Sequence, residues 1–311
     1  MMLHVTNGDS TAQLLQKSSI SGTILPWRES WIDGPAALDW WEEQAQQARA
    51  EWFERELGVP QFLYIEQCKS QQSQLTQAVM GGEEIVLWFE YDLFDQAMLA
   101  ALLYWFSKAF ESIPLNLSWI VATEVPGVAD FRGLGQLSPE QVAAFWPQRR
   151  EVATDEQAAA ARAWAAYSAA ADASDIDGRE AITHWLRLDG EKLPVMAEAL
   201  AFQLKRLPSE ADSLGIVERL TLQELESALN VSPDADGVTP DKLFGAVSSA
   251  LPMLGMGDLS YWSMLNAMAA GDDPLIQVSG DRPLPGFAAA HPINWKQWAI
   301  RLAPRGQRLL D

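Results

Sequence analysis

The chain has 311 residues, 48% of them hydrophobic and 21% charged, which is enough for two domains of ordinary globular composition. Its net charge of −20, from 42 acidic and 22 basic residues, is spread over both halves and disfavours binding of a phosphate backbone by a broad positive surface. The single cysteine, Cys68, excludes an intramolecular disulfide and a cysteine-built zinc site. No leader-like N-terminus and no uncharged apolar run of about 18 residues is seen, so a soluble cytoplasmic protein with no membrane partner is expected.

Residues 2–6 read as a short buried strand, followed by Asn7-Gly8-Asp9-Ser10 and a helix over 10–17, with Ser10 and Gln13 at capping-box spacing. A second strand, 23–25, stops at Pro26 and leads into a turn-rich loop over 27–35. Residues 39–57 and 66–80 pattern as helices, each closed by glycine. The continuous apolar run 84–89 is the strongest strand of the chain, of the kind buried on both faces. A nearly all-apolar helix over 93–110, a strand over 115–122 and a glycine-bearing loop over 123–137 follow, and Ser138-Pro139-Glu140 starts another helix. Strands alternating with helices predict a parallel α/β sheet, a Rossmann-like domain over residues 1–150.

Beyond residue 150 the pattern turns helical. An alanine-rich helix over 154–171 and helices over 175–188 and 193–206 form a connector, residues 151–210. Residues 211–311 read as helices over 214–229, 240–250 and 259–270, then strands over 275–278 and 299–302, the order of a winged helix. Residues 211–270 hold eight acids and two bases, Arg219 and Lys242, so this domain is expected to meet a protein or to pack on its neighbour rather than to bind DNA.

Several segments resemble one bacterial family, catalogued as domain of unknown function 1835: His4-Val5-Thr6-Asn7-Gly8-Asp9-Ser10, Leu25-Pro26-Trp27-Arg28, 88–96 and Phe131-Arg132-Gly133-Leu134-Gly135-Gln136-Leu137. The resemblance spans about residues 2–150, and 256–262 is similar to the helical extension such proteins carry. It implies the fold and the candidate site positions, and no activity.

Both strong strand ends run straight into acids: Asp9 after the first, Glu90, Asp92 and Asp95 after the third, with Glu124 after the fourth. If the strands are neighbours, these carboxylates converge where open α/β sheets bind ligands. Asp9, Asp92 and Asp95 are then candidate ligands for Mg²⁺, which takes oxygen donors. Glu90 and Asp92 are the candidate catalytic acids, and Asn7, Asp9, Ser10, Arg28, Arg132 and Gln136 are the candidate ligand-binding residues. Carboxylates with guanidinium groups suit a nucleotide or another small phosphorylated ligand, and Mg²⁺-dependent phosphoryl transfer or hydrolysis.

Simpler roles compete with this reading. Asp92 has the position of a helix N-cap and Asp95 favours the same helix dipole; Asp9 or Ser10 could cap the first helix, and Glu90 could pair with Arg28 or Arg132. Gly8-Asp9-Ser10 also resembles the start of lipase-like serine hydrolases, but only His4, His184 and His291 could serve as base, and Ala288 stands where that family has its aspartate. The topoisomerase–primase turn is closer, with Asn7 in place of its glutamate. The glycine loop at 133–136 lacks the Gly-Lys-Ser/Thr of a P-loop. A non-catalytic regulator or scaffold acting through residues 211–311 is the alternative function.

Overall fold

A computed structural model describes residues 1–171, 176–232, 236–280, 283–289 and 292–310. Its first half is an α/β layer. Strands β1 (Met2–Thr6), β2 (Thr23–Pro26), β3 (Glu84–Glu90), β4 (Leu117–Ala122) and the two-residue β5 (Arg150–Glu151) form one sheet in the order β2-β1-β3-β4-β5. The first three pairings are parallel and only β5, which the hydropathy pattern does not reveal, runs antiparallel. Helices α1 (Asp9–Lys17), α2 (Glu43–Leu57), α3 (Gln61–Met80) and α4 (Leu93–Ala109) make the crossovers, and the short α5 (Pro139–Ala143) follows β4.

The continuous apolar run of β3 reports burial on both faces. Ile85, Leu87 and Phe89 enter the main core with α3 and α4. Val86 and Trp88 point the other way, into a smaller core with Leu15 of α1 and Val142 of α5. His4 belongs to this second face. It accepts from Trp88 Nε1 at Nδ1 (3.1 Å) and its Nε2 meets Ser21 O at 3.2 Å, and burial holds its pKa down.

The remaining helices back the first face. α6 (Thr154–Ala169), α7 (Ile176–Asp189) and α8 (Pro194–Arg206) are followed by α9 (Ile216–Val231), α10 (Pro240–Ala250) and α11 (Asp258–Met268). An antiparallel pair, β6 (Ile276–Ser279) and β7 (Ala299–Leu302), and the short α12 (Pro304–Arg308) complete the chain. Asp175, the expected start of the second connector helix, lies outside the described residues. Buried Leu222, Leu243 and Leu265 of α9, α10 and α11 belong to the same contiguous core as β3 and α4. No helix among the described residues is long and apolar enough to cross a membrane.

Residues 27–36 are irregular yet largely buried, which requires partners for their backbone carbonyls. Side chains from the surrounding helices supply them. Arg49 of α2 donates to the carbonyls of Ser30 (3.0 Å), Asp33 (3.2 Å) and Pro35, Tyr167 of α6 to that of Trp31 (2.9 Å), and Arg206 of α8 to that of Ile32 (2.8 Å). Arg49 is itself fully buried, paired with Glu29 at 2.6 Å and set over the Trp31 ring at 4.0 Å; Tyr64 donates to the other Glu29 oxygen at 2.6 Å. Helix α2 is strongly charged, and its Arg49 turns inward as the hub of this segment. Trp27, Trp40, Trp31 and Trp164 form a chain of ring contacts beside it, edge to face at Trp27–Trp40 and Trp31–Trp164 and tilted at Trp31–Trp40, and take up four of the chain's 14 tryptophans.

Removing one member of a buried ion pair strands the other. Arg49→Ala is therefore expected to lower unfolding free energy in urea by about 3–5 kcal/mol. A loss below about 1 kcal/mol would show that the segment is held by its tryptophans alone.

Candidate functional site

β1 connects outward to β2 on one side, and the chain returns on its other side as β3. That reversal makes the gap between the C-terminal ends of β1 and β3 the topological switch point, the crevice where open α/β sheets bind ligands. Asn7 leaves β1 there and Glu90 ends β3 there.

Asn7 ties the two strand ends together. Its Nδ2 donates to Glu90 Oε1 (2.8 Å) and to both Asp95 oxygens (3.0 and 3.1 Å), while its Oδ1 accepts from Thr11 Oγ1 (2.8 Å). Gly8 follows with φ of 140°, a conformation open to glycine, and α1 begins at Asp9. The helix thus starts two residues before the position that the Ser10–Gln13 capping box requires. Gly8 occupies the N-cap, and neither Asp9 nor Ser10 caps the helix with its side chain.

The first turn of α4 organises the acids. Asp92 is its N-cap, accepting from Asp95 N at 2.9 Å, as the sequence suggests. Asp95 turns back and accepts the Glu90 N–H, and Gln96 donates to the Glu90 carbonyl. Glu90 Oε1 also accepts from Leu134 N at 2.6 Å, and a Cβ at Gly133 would collide with the carboxylate. Glycine at 133 is therefore a condition for the loop to close on Glu90. Tyr91 pins the same loop by donating to Phe131 O at 3.1 Å.

The arginines do not neutralise these acids. Arg28 forms a two-pronged pair with Asp9 (2.8 and 2.6 Å), with both side chains about half exposed. Arg132 donates through Nη1 to Ser248 O at 3.1 Å, and its backbone N–H donates to Gln136 Oε1 at 2.6 Å. The expected pairing of Glu90 with Arg28 or Arg132 is absent: its side chain is occupied by Asn7 and the Leu134 N–H. Among the described residues, no ion pair reaches Glu90, Asp92 or Asp95.

Two cavities meet at Asn7, Glu90 and Arg132. One, of about 370 Å³, is polar and runs along the start of α1, with Gly8, Asp9, Ser10, Gly133, Gly135 and Gln136. The other, of about 330 Å³, has Asp92 and Asp95 on its floor and a wall from α10, α11 and the loop between them. Gly255 of that loop has φ of 64°, and a Cβ there would come within 2.5 Å of Asp92 Oδ2. The wall is joined to the α/β layer by Leu93 N donating to Met253 O at 2.8 Å.

Every candidate catalytic, ligand-binding and metal-ligating residue except Arg28 therefore lines one of the cavities; Arg28 reaches the polar one through Asp9. Asp9 lies in the polar cavity, apart from Asp92 and Asp95 in the other, so the three expected metal ligands are not brought together. Among the described residues, no group of three or more His, Cys, Asp or Glu side chains is placed to hold a metal ion. Glu124 is exposed and lines neither cavity. Among the described residues no histidine stands beside Ser10: His4 is locked in the sheet core and His184 is exposed on α7, while His291 lies outside the described residues. The α10–α11 wall is what sequence patterning misses, since its only signal is the segment around 256–262.

Burial pushes Glu90 and Asp92 up to about 7, and pushes Asp95, which also faces both of them, well above the ordinary carboxylate range. Such acids ionise near pH 4 in the unfolded chain. The folded state holds extra protons between about pH 4 and about pH 7, so their contribution to stability is complete at low pH and is lost as pH rises through that window. Asparagine caps helices as well as aspartate does. Asp92→Asn is therefore expected to melt a few degrees above wild type at pH 8, with the gap closing at pH 5. A variant less stable than wild type at pH 8 would mean that the charge of the cap outweighs its burial.

Set against known proteins, the chain matches no family model and no curated protein.

Proposed function

We propose that the chain binds a small phosphate ester, nucleotides included, in this crevice, and that Glu90 and Asp92 perform acid–base chemistry on it. The observation that carries the reading is the meeting of a polar and an acid-floored cavity at Asn7, Glu90 and Arg132, on the switch point of the sheet. The start of α1 has no side-chain cap, so its N–H groups and the positive end of its dipole are available to an anion in the polar cavity. Arg132 stands where the cavities join and would supply the second positive contact.

Carboxyl groups that ionise near neutrality suit proton transfer at physiological pH. In this reading Glu90, held on one oxygen by Asn7 and Leu134, takes the proton of an attacking water or hydroxyl, and Asp92 serves the leaving group. Mg²⁺ would enter with the ligand, since it is commonly held by one or two carboxylates, phosphate oxygens and waters. In a Mg²⁺-dependent reaction Glu90 and Asp92 would be the ion's protein contacts in place of their acid–base roles, with Asp9 engaged by Arg28. The segments that resemble domain of unknown function 1835 include most of those lining the crevice, and membership of that family is part of the proposal.

Residues 211–311 support a second reading, a winged-helix-like module. Beyond the order of helices and strands, Val238, between α9 and α10, forms an antiparallel bridge with Ile300 of β7, as the first strand of such a module would. The excess of acids over bases in residues 211–270 favours a protein partner over DNA.

A ligand that binds only the folded chain raises its melting temperature. A panel of phosphate esters, with and without Mg²⁺, is expected to raise it by several degrees in wild type. Arg132→Gln should weaken binding about 10–100-fold, the range for a lost charge-assisted hydrogen bond. Glu90→Gln should bind while turning over at least about 100-fold more slowly. The absence of any shift across the panel, with or without the metal, would end the proposal.

A further inference from the structure

The acid-floored cavity has a composition that phosphate binding does not use. Phe94 comes from α4, and Phe244, Val247, Leu251, Met256 and Tyr261 come from α10, α11 and their connecting loop. Tyr261 is fully buried and its hydroxyl is engaged by Thr221 at 3.0 Å, so its ring, not its hydroxyl, is available to the cavity. Aromatic faces and a pliant methionine make a slot for a flat ring. At the floor of that slot, Asp92 and Glu90 are each about 5% or less exposed and have no cationic partner among the described residues. Glu90 keeps the Asn7 amide and the Leu134 N–H, both on Oε1, and Asp92 keeps the Asp95 N–H on Oδ1, so a purely hydrocarbon group filling the slot would take water from the carboxyl groups and offer their remaining acceptor capacity nothing in return, at a cost. A flat ring carrying N–H donors satisfies both the wall and the floor.

The two cavities, of about 330 and 370 Å³, are each at the lower end of the size of small-molecule sites. Joined through Asn7, Glu90 and Arg132, they describe one ligand with a flat ring at one end and an anionic group at the other. We infer that the ligand is a purine-type nucleotide, with its phosphate along the start of α1 and its N–H-bearing base in the slot between Asp92 and the α10–α11 wall. The inference rests on the phosphate-ester reading above and adds the base, its location and the role of the C-terminal helices in choosing it. The contacts of Leu93 N with Met253 O and of Arg132 with Ser248 O fix that wall against the acids, so the base pocket exists only while the helices are docked.

The test is titration calorimetry on the full chain with GMP, AMP, ribose 5-phosphate and inorganic phosphate. At least one purine nucleotide is expected to bind tenfold or more tighter than ribose 5-phosphate. Met256→Trp, which fills the slot, and Phe244→Ala, which removes one aromatic face, should each bring that ratio toward one. Because the ratio compares two ligands on the same protein, a general loss of folding does not imitate it. Equal affinity for ribose 5-phosphate and both nucleotides, or a ratio untouched by both substitutions, would overturn the base slot and leave the phosphate-ester reading standing. Failure of every phosphorylated compound to bind would overturn both.

Discussion

Three carboxyl groups are buried at the end of β3 with no cation among the described residues to balance them, and the arrangement around the crevice follows from how that cost is met. Asn7 is the central device. As a neutral amide it can donate to two acids at once, which an acidic residue at the same place could not do, and it joins β1 to β3 and α4 in doing so. The backbone of Glu90 is held from α4 by Asp95 and Gln96, and its side chain by the loop at Leu134. Burial then raises the acids toward neutrality instead of leaving three full charges in a low-dielectric setting. Helix capping and site building are the same interaction at Asp92: one oxygen closes the helix, and the carboxyl group still faces the cavity.

A second polar anchor, the Arg49–Glu29 pair, works at a distance from the crevice but serves it. It fixes the irregular segment that begins at Trp27, and Arg28 emerges from that segment to meet Asp9 at the mouth of the polar cavity. Segment 27–36 also reaches the C-terminal helices, since Ser260 and Ser30 both donate to Asp33. One buried guanidinium thus orders a stretch that lies between the sheet, the connector helices and α11. Its five donors are matched largely by backbone carbonyls and a carboxylate, the fork geometry that lysine could not reproduce.

Much of this was legible in the sequence because it is written in local patterns. The unbroken apolar run of β3 meant burial on both faces, and the sheet delivers it through two cores. Asp92 followed by Asp95 read as a helix start and is one. The acids at the strand ends were expected to converge, but only Glu90, Asp92 and Asp95, which all follow β3, line one cavity; Asp9 lies in the neighbouring one and Glu124 in neither. What was not legible depends on distance in the chain. Asp9 and Arg28 are 19 residues apart and neutralise each other, which withdraws Asp9 from the other acids. The capping box at Ser10 fitted a spacing rule, but the turn at Gly8 starts the helix earlier. Arg49 sits in a helix whose composition is that of a surface, and nothing local signals that it faces inward. The same holds for Gly255 and Met256, whose meaning arises only when a loop more than 150 residues away closes over Asp92.

That closure alters what the α/β layer can do by itself. The Leu93 N–H, one of the unpaired donors at the start of α4, is satisfied by Met253 of the C-terminal helices rather than by the Asp92 cap. Withdrawing those helices would expose the donor, the acids and the apolar side chains of the wall together, and solvated acids would return toward their ordinary range. Docking of α10 and α11 is therefore electrostatically coupled to the protonation of the site: whatever holds them in place keeps Glu90 and Asp92 near neutrality. A ligand whose base replaces water above the acids strengthens that docking, and by linkage the docked helices strengthen the ligand.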